Sequence, residues 1–391
     1  MPRSVFCVGV CGGVWVVVVG VVSGGGGVRM GVHLSSKHRD RNQTETMAHR
    51  LSRLISRRGA ARPFSSTAAS AQEKIFLYDT TLRDGTQGEG VSLSLHDKLA
   101  IAERLDDMGF DYIEGGYPLS NEKDVAFFEQ VRGLGLSKAT VCAFGMTRRK
   151  GILAKDDPGM LSLLKSEAAV CTIVGKTWDF HVEHVLRVSL EENIDMISDT
   201  VRHLCESGRR VIYDAEHYFD GYLSNPEHAI ATLKAAADAG AESIALCDTN
   251  GGTMPNEVER LVKKAVEAVG PNVQIGVHCH NDCSMAVANS LAAVAAGARQ
   301  VQGTINGIGE RCGNADLIGV AACLALKSNG QYFVLGDYPS ESSAAIGRLT
   351  ELSRYVHYMS SLRADVAGLR DDVARSTASR ALGPDPIFPQ S

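Results

Sequence analysis

No CxxC pair occurs among the ten cysteines, and they follow no even spacing. The sequence therefore gives no support to a disulfide scaffold or a structural zinc cluster, which fits a reducing compartment. Positive charge is also outnumbered over most of the chain. Residues 1–72 hold ten Lys/Arg against only Asp40 and Glu45, a formal +8, so the remainder of a chain with net charge −5 carries −13. An acidic working part offers no electrostatic basis for binding nucleic acid. No GxGxxG follows the first expected strand, which argues against a dinucleotide-binding open sheet. What remains is ordinary globular material, 44% hydrophobic and 22% charged, with 391 residues allowing one large domain plus appendages.

Residues 5–22 are apolar and rich in valine and glycine, and Gly24–Gly27 follow. Read alone, that stretch is a signal h-region or a short membrane span. The segment from Met47 differs. It carries Arg50, Arg53, Arg57, Arg58 and Arg62, places Leu51, Leu54 and Ile55 on one helical face, and has no acid until Glu73. That is the composition of an organelle transit peptide. Arg62-Pro63-Phe64-Ser65-Ser66 resembles a mitochondrial processing site. The reading is that Met47 is the functional start and residues 1–46 an over-extended gene model. The alternatives are an ER-type signal before a plastid transit peptide, and a disordered tail with no targeting role. The expected destination is the mitochondrion or plastid, the mitochondrion favoured, with no membrane association of the mature domain.

From residue 75 the chain alternates short apolar runs with helical patterns. Strands are expected at 75–82, 112–118, 139–146, 169–175, 209–217, 243–249, 273–280 and 300–306. Amphipathic helices are expected at Leu95–Met108, Leu190–Cys205, Pro226–Ala239, Glu257–Val269, Met285–Ala296 and 315–328. Eight βα units in about 250 residues indicate a TIM (β/α)8 barrel. Its expected extent is 73–332, between the extension 1–72 and a partial helical subdomain with a divergent tail over 333–391.

A TIM barrel carries its chemistry at the C-terminal ends of its strands, and polar residues gather there. The first strand runs into Asp79-Thr80-Thr81-Leu82-Arg83-Asp84-Gly85-Thr86-Gln87. The fifth ends at Asp214-Ala215-Glu216-His217, the sixth at Asp248-Thr249-Asn250, the seventh at His278-Cys279-His280. The eighth runs into Asn306–Asn314. Residues i and i+2 of a strand share a face, so His278 and His280 point the same way. Closure sets strand one beside strand eight, so Asp84 can meet both histidines and Asn314 can reach in. Two histidines and a carboxylate make a divalent-metal site with positions left open. The alternatives are a merely hydrogen-bonded histidine pair, and oxygen-activating iron.

Arg83 can neutralise an enolate or carboxylate oxygen, or hold the metal ligand by a salt bridge. Glu216 is the candidate for proton transfer or for orienting a ligand, against a structural ion pair. Thr249 either binds a substrate carboxylate or caps the next turn. Gln87 is assigned to substrate binding with Arg83 and Thr249. The glycines of 307–313 offer amides to an anion. Cys279 and Cys283 are read as packing cysteines.

DTTLRDGTQ (79–87), HCHND (278–282) and NGIGERCGN (306–314) together resemble the DRE-TIM metallolyase family, over roughly residues 75–356. Within it the chain looks like the 2-isopropylmalate/citramalate synthase branch. LRDGTQGEGVSLSLHDKL (82–99), EGGYPLSNEKD (114–124) and YDAEHYFDGY (213–222) are similar to its (R)-citramalate type. The resemblance implies a transferase of amino-acid biosynthesis (isoleucine or leucine) that condenses acetyl-CoA with a 2-keto acid, pyruvate favoured. It implies a divalent cation (Mg2+, Mn2+ or Zn2+) on Asp84, His278 and His280, with Asn314 completing or supporting the site. A base takes a methyl proton from acetyl-CoA, the enolate attacks C2 of the keto acid, Arg83 steadies the developing charge, and water hydrolyses the thioester. A homodimer is expected. Other readings are a 2-isopropylmalate synthase-like enzyme, an acyl-CoA lyase or keto-acid decarboxylase on the same barrel, and an inactive truncated barrel. The branch continues into a helical subdomain with an AHKGGIH-like segment, and the tail after Ser361 contains none. A truncated or mis-spliced gene model is the first expectation from that departure, a short isoform the second.

Overall fold

Strand one of the barrel is only Phe76–Asp79, yet it closes the whole sheet. In a computed structural model, residues 72–360 are described in full. Of residues 1–71 the backbone of three strands is described, Ser4–Cys11, Val14–Ser23 and Gly27–Ser35, paired antiparallel in a unit of their own. The expected transit segment 47–72, apart from its last residue, and the tail 361–391 lie outside the described residues. Among the described residues no helix is long and apolar enough to cross a membrane.

The eight parallel strands are β1 (Phe76–Asp79), β2 (Tyr112–Gly116), β3 (Thr140–Met146), β4 (Val170–Lys176), β5 (Arg210–Glu216), β6 (Ser243–Asp248), β7 (Gln274–Cys279) and β8 (Gln300–Gly303). β8 pairs with β1 in the register Gln300↔Phe76 to Gly303↔Asp79, which closes the barrel as expected. Alternate side chains divide the apolar residues in two. Tyr78, Tyr112, Cys142, Val170 and Ile212 pack together inside the lumen, while Leu77, Ile113, Ala143, Ile173, Val211, Leu246 and Val301 join the layer under the helices. The lumen is filled, as in other barrels of eight strands.

The eight surrounding helices are α1 (Leu95–Met108), α2 (Glu122–Val131), α3 (Pro158–Lys165), α4 (Leu190–Glu206), α5 (Pro226–Asp238), α6 (Pro255–Val269), α7 (Ala286–Ala295) and α8 (Leu317–Lys327). Their starts are written locally. Ser94 and Asp97 form a reciprocal capping box on α1, Asn121, Asp157, Ser189, Asn225 and Asp316 cap five others, and proline opens α3, α5 and α6. α2 and α3 were not among the expected helices. At ten and eight residues they repeat the helical period too few times to stand out. Beyond the barrel, Tyr332 and Phe333 pair with Glu73 and Lys74, and a helix over 349–360 sets Leu349, Leu352 and Val356 into the same core.

The turn after β1 is held to β8 by buried polar groups. The Thr80 carbonyl accepts the amides of Arg83, Asp84 and Gly85 at 3.1, 2.8 and 3.1 Å, which fixes where Asp84 sits. Asp79 accepts the amide and hydroxyl of Thr81 at 3.0 and 2.8 Å, and the Thr81 hydroxyl oxygen in turn accepts the Ile305 amide at 2.9 Å. Burial outweighs these bonds and pushes Asp79 up to about 7. Thr81→Val strips the buried Ile305 amide of its acceptor, so the unfolding free energy should fall by about 1–3 kcal/mol. A urea midpoint equal to that of the wild type would refute this.

Candidate metal centre

Asp84, His278 and His280 offer ligand atoms that all lie within 4.8 Å of one another, and all three residues are buried. Each comes from a different constraint. Asp84 is set by the Thr80 turn. His278 faces the lumen from β7 opposite Gln302 of β8. His280 follows two residues later, where its amide bonds Asp248 O at 3.1 Å and its backbone bridges Asn314. The expected meeting of strands seven, eight and one is thus observed.

The donor set fits a cation. Asp84 Oδ2, His280 Nδ1 and Asn314 Oδ1 are buried and lack a hydrogen-bond partner, a costly arrangement unless something else binds them. His278 sharpens the argument. Its Nδ1 lies 2.9 Å from Gln302 Oε1, while Gln302 Nε2 donates to Asp214 Oδ1 at 2.9 Å. Asp214 thereby orients the amide, the amide oxygen takes the proton on His278 Nδ1, and His278 Nε2 is left 3.2 Å from Asp84 Oδ2. Two acceptors at that distance require a proton or a cation between them.

Electrostatics agree. Burial works to raise Asp84, but Arg83 and then His278 outweigh it and hold its carboxyl well below the usual carboxylate range. Burial and the neighbouring His278 push His280 down to about 4, so its imidazole is neutral at physiological pH, the form that could bind a cation. Burial and the charge of Glu114 push Asp214 up to about 7.

Arg83 is pinned from three sides. It donates through Nε to Glu114 at 2.6 Å and through Nη1 to Asp84 at 3.0 Å, and its guanidinium lies 3.9 Å from the centroid of Phe144. Glu114 is itself held by the Tyr78 hydroxyl at 2.9 Å. The salt bridge to Asp84 is thus present and leaves a fixed positive charge at the mouth, two roles that the sequence allowed together.

The other expected site residues lie further out. Glu216 is half-buried and paired with Lys176 of β4, outside the three-residue cluster. The Thr249 hydroxyl accepts the His217 amide at 2.9 Å, a bond between the ends of β6 and β5 that is neither of the two roles considered for it. Gln87 is exposed on the rim. Asn314 is buried beside His280, with its amide nitrogen on Ile308 O at 3.2 Å. Cys279 packs as expected, whereas Cys283 is exposed on the loop after β7, a correction that follows from its lying beyond the strand. Glu114, Asp214, Gln302 and Lys176 were not anticipated. All four occupy lumen-facing positions, so carrying the alternation argument beyond HxH to every strand would have found them.

With this geometry in place, comparison with known proteins is decisive: the HMGL-like family matches residues 74–356. The chain belongs to the HMGL-like family. Among its members, an (R)-citramalate synthase of Aquifex aeolicus is 51% identical over 284 residues, covering 73% of this chain and 52% of the relative. A probable 2-isopropylmalate synthase of Methanopyrus kandleri is 37% identical over 281 residues, covering 71% of this chain and 52% of the relative. The chain thus spans about half the length of these curated relatives. Of solved HMGL-like structures, the HMG-CoA lyase of Bacillus subtilis superposes with a TM-score of 0.61 at 18% identity, over 74% of this chain and 95% of that one, a likeness of fold.

Because Gln302 sets the His278 tautomer, Gln302→Leu should weaken Mn2+ binding about 10–100-fold with the fold intact. Calorimetric titration with Mn2+ checks it, and an unchanged affinity would remove Gln302 from the centre.

Proposed function

We propose that this chain condenses acetyl-CoA with a 2-keto acid, pyruvate giving citramalate, at the centre built by Asp84, His278 and His280. The observation that carries the proposal is the convergence of Asp84, His278 and His280, with buried His280 Nδ1 and Asn314 Oδ1 unpartnered, beside a pinned arginine. The 51% identity to an (R)-citramalate synthase supports pyruvate as the keto acid.

A divalent cation bound there supplies Lewis-acid polarisation of the keto group. The protein does the rest. Asp84, His278 and His280 hold the cation, with Asn314 supporting them. Glu216, oriented by Lys176, takes a proton from the acetyl methyl group. The enolate carbon so formed then bonds to C2 of the keto acid, and the former carbonyl oxygen takes up the proton that Glu216 received to become the hydroxyl of the product. Arg83 cannot swing away from Glu114 and Asp84, so its charge is preorganised for the oxygen on which negative charge develops. Water cleaves the thioester and frees CoA. The protein acts as a homodimer, which light scattering tests, and it works in isoleucine biosynthesis within an organelle, the mitochondrion favoured.

The test is free-thiol release from acetyl-CoA by the full chain, with pyruvate and separately with 2-ketoisovalerate, each with Mg2+, Mn2+ or Zn2+ and with chelator. Metal-dependent release with pyruvate is expected. Release with 2-ketoisovalerate alone would make it a 2-isopropylmalate-type enzyme, and keto-acid loss without acetyl-CoA would make it a lyase or decarboxylase. No release under any condition from folded, metal-binding protein would sink the proposal. Asp84→Ala and His278→Ala should each abolish metal-dependent turnover while far-UV circular dichroism stays unchanged. Arg83→Lys keeps the charge but loses the fork, and kcat should drop by about two orders of magnitude. Wild-type kcat in that variant would rule out its proposed role.

A further inference from the structure

The loop that carries Asn314 is wedged between the two loops that carry the other ligands. On one side Ile308 Cγ1 lies 3.0 Å from where a Cβ on Gly85 would sit, and Gly309 O lies 3.1 Å from the same position on Gly88, so the loop rests on the turn bearing Asp84. On the other side Gly313 O accepts the Asn281 amide at 2.9 Å, next to His280. Within the loop, Asn314 N donates to Gly307 O at 3.0 Å and the Thr304 hydroxyl to Ile308 O at 2.7 Å. Any shift of residues 306–314 therefore moves Asn314 and disturbs both neighbours.

Such a loop needs an anchor, because connecting segments are drawn from the low-stability end of a fold. The anchor comes from outside the barrel. Asn306 has left-handed backbone angles, φ 63° and ψ 14°, and its amide is held by Asp316 at 3.0 Å. Its side chain makes a reciprocal pair with the helix over 349–360. Asn306 Nδ2 donates to Ser353 O at 2.9 Å, and the Ser353 hydroxyl donates to Asn306 Oδ1 at 2.6 Å. The helix is in turn seated on α1. Leu352 and Val356 enter the core, Glu351 lies 3.4 Å from Arg104, and Arg348, just before the helix, pairs with Asp107 at 2.6 Å.

We infer that the helix over 349–360 is a positioning element of the metal centre, acting through the Ser353–Asn306 pair on the loop that presents Asn314. The inference deepens the proposed function and rests on its metal reading. Ser353 touches no ligand residue. It fixes the far end of the loop, so that the side-chain carbonyl of Asn314 keeps its place beside His280 while the amide nitrogen stays on Ile308 O.

The experiment compares the full chain with Ser353→Ala, Ser353→Thr and Asn306→Gly. Ser353→Ala removes the hydroxyl donor, Ser353→Thr keeps it, and Asn306→Gly keeps the left-handed backbone while deleting the amide. Hydrogen exchange of residues 304–316 is measured without metal, and Mn2+ affinity by calorimetric titration. Ser353→Ala should speed exchange in 304–316 and weaken Mn2+ binding, each about threefold to tenfold. Asn306→Gly should do at least as much, and Ser353→Thr should restore both. Exchange in α1 should not change. Unchanged exchange in 304–316 in both loss variants overturns the inference, as does a rise spread equally over α1, which would mark general destabilisation. Faster exchange with unaltered Mn2+ affinity overturns the link to the centre. Wild-type protein that binds no Mn2+ defeats the metal reading itself, and with it the inference, while its loop exchange still reports whether the pair holds.

Discussion

Pairing between the first and last barrel strands is the constraint on which the rest depends. Asp84 and His278 are 194 positions apart in the chain, and only the β8–β1 register, one strand over from β7, brings a carboxylate oxygen within 3.2 Å of an imidazole nitrogen. The contact is reinforced by buried polar bonds that belong to the closure itself: Thr80 on Gly303, and Thr81 between Asp79 and Ile305.

The lumen above its tyrosine layer carries buried polar and charged groups. Glu114, Asp214, Gln302 and His278 all point inward, and burial makes each costly unless it is partnered. Two chains satisfy the cost. One runs from Arg83 through Glu114 and Tyr78 to Thr172, the other from His278 through Gln302 to Asp214. Both end on residues of the candidate centre, and both leave its outward-facing acceptors unsatisfied. Asp84 Oδ2, His280 Nδ1 and Asn314 Oδ1 are set apart from other buried polar atoms without partners by standing together beside a pinned arginine.

Much of this was legible in the sequence. Eight runs of β-branched and aromatic residues, spaced by amphipathic stretches, imply the barrel, and the eight strands fall at the expected positions. Period-two alternation sets His278 and His280 on one face, and barrel closure brings Asp84 to them. Other features arise only in the folded chain. The short α2 and α3 repeat their pattern too few times to be seen. The Thr249 hydroxyl ties β6 to the end of β5 through the His217 amide, a pairing no local pattern shows.

The sequence by itself determined the barrel, the strand-end location of the polar residues and the family to which the chain belongs, because these follow from local periodicity and from motifs of contiguous residues. Tertiary structure decided which polar groups meet. That Gln302 orients His278, that Glu216 takes Lys176 as its partner, and that a helix beyond the barrel anchors the Asn314 loop through Ser353 are facts about residues 24, 40 and 47 positions apart. No local pattern encodes such pairs. They arise when strand register and helix packing bring distant side chains together, and burial then obliges each polar group to find a partner.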